Sequence, residues 1–364
     1  MGNSGRKTET KQKRKGRSLQ ETSKNPSRRR LRKILITGGT GFLGSHLLRA
    51  LISSGERNLR VLSTTAPEWL SDFGVEVIQG SITSPEAVAR AVKDVSAIYH
   101  LAGLVSREAE DAHRMYQLHV DGTRLLCDAA REAGTQAIIL ASTSGTIAVT
   151  EDGDEIPDET YPPPLKIITR WPYYASKYYQ ERVALERFDG DGRKLVILNP
   201  SLLLGPGDER LSSTKFILDF LAGRIMTVPS GGLSFVDARD AAQAFINALE
   251  RGKHGERYLL GAVNWTFREL LGRLERLTKR GGPRFTLPSK FAIAGAQAIH
   301  ALYRHWKLSP PLDPVAIEMA EYFWYVNPGK AERELSFAPR DPTETLHDTV
   351  EYVRERFLGR ERFD

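Results

Sequence analysis

The sequence has 364 residues, 40% of them hydrophobic, and a formal net charge of +7. That length allows one large domain or a domain with a substantial appendage, and no run reaches the roughly 18 apolar residues of a membrane-spanning helix. A single cysteine, Cys127, excludes an intramolecular disulfide framework and fits a reducing, cytoplasmic setting.

The positive charge is unevenly placed. Residues 1–33 carry 13 Lys/Arg and two Glu, which leaves −4 on the remainder. Residues 1–31 hold almost no apolar side chains and are expected to form a disordered basic tail. Such a tail could touch nucleic acid or an anionic surface, or simply aid solubility. It has no apolar centre, so it is not a secretory signal. Arg6 breaks the myristoylation pattern.

The first predicted elements are the most informative. Ile34–Ile36 read as a buried strand running into Thr37 and a glycine turn. Phe42, Leu43, Leu47, Leu48, Leu51 and Ile52 then fall on one face of a helix that Gly55 stops. Gly38, Gly41 and Gly44 are three apart. In this setting the first permits a sharp turn, the second lets backbone approach a pyrophosphate, and the third lets helix lie close on strand. The helix N-terminus offers N–H groups to phosphate.

Further strands are predicted at Leu59–Ser63, Val75–Gln79, Ser96–Leu101, Ala137–Ala141 and Lys194–Asn199. Helices fall between them: a Ser/Pro-started one after residue 81, a long one from Glu108 to Ala133 containing Cys127, and one over residues 171–188 with Pro172 near its start. The alternation predicts an α/β fold, a Rossmann-like doubly wound parallel sheet with ligands at the strand C-termini. Residues 32–210 form the expected dinucleotide-binding domain. A smaller mixed region, 211–357, is expected to cover the substrate, with a helix from Asp240 to Arg251 returning to the main sheet. Asp237, Arg239 and Asp240 stand at the start of that helix, with Asp240 as its simplest N-cap.

Two groups suggest chemistry. Tyr173 and Lys177 are four apart on one helix and share a face. A nearby ammonium favours the phenolate, which makes Tyr173 a candidate acid/base. Tyr174, Tyr178 and Tyr179 crowd the same region and read as packing. Trp265, Phe267, Trp306, Tyr322, Phe323, Trp324 and Tyr325 suit either an apolar, ring-shaped substrate or a core. Residues 291–307 are amphipathic enough for a membrane surface, a lid or a dimer helix.

TGGTGFLG at the start, YHLAG at 99–103, HVDGT at 119–123, STSGTIAV at 142–149, YYASK at 173–177 and NPSLLLGPGD at 199–208 occur in that order. Together they resemble the extended short-chain dehydrogenase/reductases, the NAD-dependent epimerase/dehydratase family, over about residues 32–357. GGLSFVDARDAA and KAERELSFAPR look most like its dihydroflavonol-reductase-like and hopanoid-associated branch. The resemblance implies a catalytic hydroxyl, tyrosine and lysine, which fall on Thr143 (with Ser144 the near alternative), Tyr173 and Lys177.

It also implies cofactor contacts from Thr40, Phe42 and Leu43 beside the three glycines, and from Ser63 and Thr64 after the second strand. Others come from Ser81 and Ile82, from Leu101, Ala102 and Gly103, from Tyr173 and Lys177, and from Pro200. No metal site is implied. His119 stands where the family usually has Asn, and Ser81 where it often has Asp. Ser63-Thr64-Thr65 offers neither the acid of NAD-binding members nor a base, and hydroxyls tolerate a phosphate better than a carboxylate does. That tilts the cofactor towards NADP over NAD. The implied activity is hydride transfer between a nicotinamide and a carbonyl or alcohol. The alternatives are a nucleotide-sugar epimerase or dehydratase, and a nucleotide-sensing binding protein. A homodimer is compatible with all three.

Overall fold

The computed structural model describes residues 1–2, 33–190, 192–285 and 313–359, with 294, 295, 297, 303 and 306. The basic tail and most of the amphipathic stretch 291–307 lie outside the described residues. The described residues from Lys33 onward form one compact unit.

Strand β1 (Lys33–Thr37) leads into helix α1 (Phe42–Ser53), whose Leu43, Leu47, Leu48 and Leu51 are buried. Strand β2 (Leu59–Ser63) is followed by a short helix α2 (Glu68–Asp72) and strand β3 (Glu76–Gln79). Helix α3 (Pro85–Val92) starts at the Ser84 cap, whose side chain accepts from Ala87 N–H at 3.2 Å, and strand β4 (Val95–His100) comes next. The single helix predicted over Glu108–Ala133 is broken. It consists of α4 (Ala112–Tyr116) and α5 (Gly122–Glu132), joined by a π turn over Gln117–Asp121. Cys127 on α5 is fully buried, and burial pushes its thiol up to about 12, so it is a packing residue.

Strand β5 (Ala137–Ala141), a short α6 (Leu165–Ile168), helix α7 (Pro172–Arg187) and strand β6 (Lys194–Pro200) complete the sequence-predicted core. Beyond it lie β7 (Leu202–Leu204), α8 (Lys215–Leu221), β8 (Gly232–Asp237), α9 (Ala238–Arg251), β9 (Arg257–Leu260) and β10 (Val263–Thr266). Helix α10 (Phe267–Thr278), α11 (Pro314–Met319), β11 (Phe323–Trp324), α12 (Gly329–Leu335) and α13 (Pro342–Val353) follow.

The main sheet has the order β3-β2-β1-β4-β5-β6-β9, and every pairing in it is parallel. Its seventh strand, β9, comes from the part of the chain beyond residue 211, so more than α9 returns to this sheet. Apart from the edge strand β3, whose residues are half-buried or exposed, the strands are largely buried on both faces, as in all-parallel sheets. One face packs against α1, α9 and α12, the other against α3, α5 and α7. A smaller mixed sheet is built on β8: β10 pairs it antiparallel, and β7 and β11 pair it parallel.

The start of α9 corrects one expectation. Asp237, not Asp240, is its N-cap, accepting from Arg239 N–H at 2.8 Å. Asp240 lies in the first turn and pairs with Arg340 at 2.9 Å. Trp265, Phe267 and Tyr325 are buried and belong to the core, while Trp306 is exposed.

Candidate active site

The three glycines of the first turn meet three different constraints. Gly38 has φ +71, and a Cβ there would stand 2.7 Å from Ala102 N, because the ends of β1 and β4 touch. A Cβ on Gly44 would overlap Gly38 O and lie 2.8 Å from Gly39 Cα, so this residue brings helix against turn. Gly41 is different. Its φ is −83, and a Cβ would meet only Gly38 O, at 3.3 Å. The space above it is open, and it begins α1 without any side-chain cap. An uncapped helix N-terminus beside an open glycine is a cradle for a phosphate. It sits between the ends of the parallel strands β1 and β4, whose following helices α1 and α5 pack on opposite faces of the sheet, the topological switch point of a doubly wound fold.

The other residues implied in cofactor binding lie along the same sheet edge. Thr40 Oγ1 and Ser63 Oγ are 3.2 Å apart at the end of β2, and Thr64 O accepts from Gln79 Nε2. Ser81 Oγ is engaged locally with Thr83, at 2.8 Å to its hydroxyl. Ile82 is buried against Gly122. Leu101 N–H donates to Thr37 O, and Ala102 N–H to Thr37 Oγ1 at 3.2 Å. Pro200 ends β6.

Helix α7 carries the candidate chemistry. Its Pro172 start pre-sets the first turn, and Tyr173 and Lys177 face the end of β5. Thr143 Oγ1 accepts from Gly145 N–H at 3.4 Å, and its hydroxyl is also the neighbour that favours the charged form of the Tyr173 phenol. The phenol is nonetheless pushed up to about 12, because burial outweighs that influence. The expected lowering by the Lys177 ammonium is not seen. In the structure Lys177 Nζ donates instead to Ala141 O at 2.7 Å and to Gln180 Oε1 at 2.8 Å. Burial brings the lysine itself down to about 8, with the Glu181 carboxylate opposing.

Behind Lys177 runs a buried polar chain. Gln180 Nε2 donates to Thr123 Oγ1 at 2.9 Å, Thr123 meets His100 Nε2 at 2.9 Å, and His100 Nδ1 meets Thr37 Oγ1 at 2.7 Å. It ties the ends of β1 and β4 to α5 and α7. His119, in the π turn, is fully buried and uses both nitrogens. Leu104 N–H donates to Nε2 at 3.0 Å, which leaves the proton on Nδ1 to donate to Ser176 Oγ at 2.8 Å. Ser176 Oγ in turn donates to Tyr173 O at 2.8 Å. His119 is therefore a brace between the loop after β4 and the backbone of Tyr173.

Tyr174 turns away from this chain. Its ring lies 5.0 Å from Tyr173 and 4.9 Å from Trp324, and Trp171 stands 5.5 Å from Tyr322 and 5.6 Å from Trp324. These rings form an aromatic cluster beside Tyr173.

The sequence and the fold match known proteins. A family model described as the NAD dependent epimerase/dehydratase family matches residues 34–261. The chain belongs to that family. Sterol demethylase protein B of Methylococcus capsulatus is 30% identical, over 88% of this chain and 98% of its own. A Synechocystis sp. relative with a provisional dihydroflavonol 4-reductase name is 28% identical, over 88% and 94%. Among solved structures, gox2253 is 30% identical with a TM-score of 0.76, covering 89% of this chain and 98% of that one.

As a member of the epimerase/dehydratase family, the chain is a nicotinamide-dependent oxidoreductase of the extended short-chain dehydrogenase/reductase type. The open cradle at Gly41 fits the pyrophosphate of such a cofactor. Several polar groups at the site were not singled out from sequence: His100, Gln180, Glu181 and Asn199. One signal was present for Glu181, which continues the four-residue spacing of Tyr173 and Lys177 along α7.

Proposed function

We propose that the chain reduces a ketone, or oxidises the matching secondary alcohol, on an apolar ring system, with NADP(H) preferred over NAD(H). The Thr143 hydroxyl and the Tyr173 phenol, brought together beside an aromatic cluster, carry this reading. A proton donor, a second hydroxyl and flat apolar surface stand together there. The names of the relatives agree with it, since both refer to chemistry on fused or linked rings.

When bound, the nicotinamide supplies or accepts a hydride at the substrate carbon. The N–H groups of the first turn of α1 would hold the pyrophosphate, with Gly41 leaving room for it because it carries no side chain. Tyr173 gives its proton to the substrate oxygen in the reducing direction and takes it back in the oxidising one. Thr143 holds that oxygen by hydrogen bonding. Lys177, already on Ala141 O and Gln180, has a third N–H for a ribose hydroxyl. The lean to NADP rests on Ser63 and Thr64, which place no carboxylate where a 2′-phosphate would sit.

The test is a panel of steroid, flavonoid and nucleotide-sugar substrates with each reduced and oxidised cofactor, followed by absorbance of the reduced nicotinamide. Net turnover with a ring ketone or alcohol is expected, faster with NADP(H). Conversion of a nucleotide sugar with no net cofactor turnover would replace this reading with the epimerase one.

A further inference from the structure

Helix α7 presents a third functional side chain to the end of β5. Tyr173, Lys177 and Glu181 follow one another at four-residue steps and share a face. Glu181 is fully buried. Its Oε1 accepts from Asn199 Nδ2 at 2.8 Å, lies 2.8 Å from Thr146 Oγ1, and also accepts from Ser142 Oγ. Its Oε2 pairs with Arg257 Nε at 3.0 Å, across from β9.

Two of these partners reach Thr143. Asn199 has two amide hydrogens, and its Nδ2 lies 2.8 Å from Glu181 Oε1 and 3.0 Å from Thr143 O. Thr146 Oγ1 is 2.9 Å from Thr143 O, and its single hydrogen serves either that carbonyl or Glu181 Oε1. Donors face both Glu181 oxygens, Asn199 and Ser142 at Oε1 and Arg257 at Oε2, and a carboxylate meets them without turning an N–H towards either side. With Asn199 anchored on Glu181, its other N–H is aimed at the Thr143 carbonyl. Fixing that carbonyl in extended backbone (φ −149, ψ 147) sets where the Thr143 hydroxyl points.

We propose that Glu181, held by Arg257 and acting through Asn199, is the positioning residue for the Thr143 hydroxyl. This rests on the reading of Thr143 as a catalytic group. Glu181 touches no reacting atom. It acts on the strand end from one helical turn below Lys177, which grips the same end at Ala141 O. The helix that supplies the acid/base thereby also sets the loop that opposes it.

A double-mutant cycle on the full chain tests this, with kcat measured on the best substrate of the panel for wild type, Glu181→Gln, Thr143→Val and the double variant. Glu181→Gln must turn an N–H towards either Asn199 or Arg257. It is expected to lower kcat by about 10- to 100-fold, the scale of a misplaced catalytic group, with calorimetric affinity for NADP⁺ retained. In the Thr143→Val background the same substitution should have little further effect, because the two act through one group. An equal loss in both backgrounds, or an unchanged kcat in folded Glu181→Gln, overturns the proposal alone. Full turnover by Thr143→Val overturns the catalytic reading of Thr143 and the proposal with it.

Crystal structures of wild type and Glu181→Gln give a readout without substrate. A displaced Thr143 is expected, and an unmoved one is contrary. Should Glu181→Gln fold poorly, the pair Glu181→Gln and Arg257→Gln removes both charges and lets one amide satisfy the other. That variant should regain part of kcat, and a well-folded form no faster than Thr143→Val would also overturn the proposal.

Discussion

Lys177 donates its ammonium to the main-chain carbonyl of Ala141 at 2.7 Å, from a side chain only 6% exposed. Burial lowers its pKa from 10.5 to about 8. Between those two values the unfolded chain holds the proton and the folded chain does not. Folding stability therefore rises with pH across that window, and the cost of burying the charge is felt in full below pH 8. The total is on the order of 3 kcal/mol. Unfolding titrations of wild type and Lys177→Met from pH 7.5 to 10.5 should diverge, with wild type gaining relative to the variant. Parallel curves would mean that the lysine is not desolvated as drawn.

The glycine turn predicts two different failures. Gly41→Val places its side chain in the open cradle, where the backbone at φ −83 accepts it and only Gly38 O is near. The fold should survive, and calorimetric affinity for NADP⁺ and NAD⁺ should be lost. Gly44→Ala drives a methyl into Gly38 and Gly39. Overpacking of that kind typically costs about 1–3 kcal/mol, so the melting temperature should fall. If Gly41→Val bound either cofactor as wild type does, the pyrophosphate would not lie against this turn.

His119 predicts acid sensitivity. Burial, with Lys177 and His100 nearby, depresses it to about 2 from 6.5, and His100 is depressed to about 3 for the same main reason. The unfolded chain takes up these protons as pH falls below 6.5 while the folded chain refuses them, so stability is lost towards acid. His119→Asn, which introduces the residue usual in the family, removes one such group. The slope of unfolding free energy against pH, below about pH 6, should become shallower by up to about 1.4 kcal/mol per pH unit. An unchanged slope would place a proton on His119 in the folded chain.

The parts of this site that were legible in sequence are those written in local spacing. A strand, three glycines and an apolar helical face identify the cradle without any long-range information, and Tyr173 and Lys177 share a face by helical geometry alone. What sequence hid depends on tertiary closure. The π turn at His119 arises where that side chain must reach both Leu104 and Ser176, and no local propensity marks it. Asp237 and Asp240 are equally good caps by type. Arg340, which engages Asp240 from 100 residues away, helps decide between them. Glu181 reads as one more polar residue on a helix until Asn199 and Arg257 are brought to it from two other strands.

Tyr173 and Tyr174 offer the sharpest test, because they are the same residue one position apart. Tyr173→Phe deletes the phenolic hydroxyl beside Thr143 and keeps the ring in its place. Packing and cofactor binding should hold, and proton transfer should fail. General acid–base catalysis typically contributes about 10²–10⁴-fold, and kcat should fall by a factor of that order. Tyr174→Phe removes a hydroxyl from a ring whose contacts are Trp171, Tyr173 and Trp324. Those contacts are made by the ring and survive the change, so kcat should stay within a few-fold of wild type. Any change there should appear in KM for an aromatic or ring-shaped substrate. Turnover and KM of both variants on one accepted substrate decide the matter. A fast Tyr173→Phe enzyme, or a dead Tyr174→Phe enzyme with a normal melting temperature, would move the acid/base off Tyr173 while leaving the fold and family untouched.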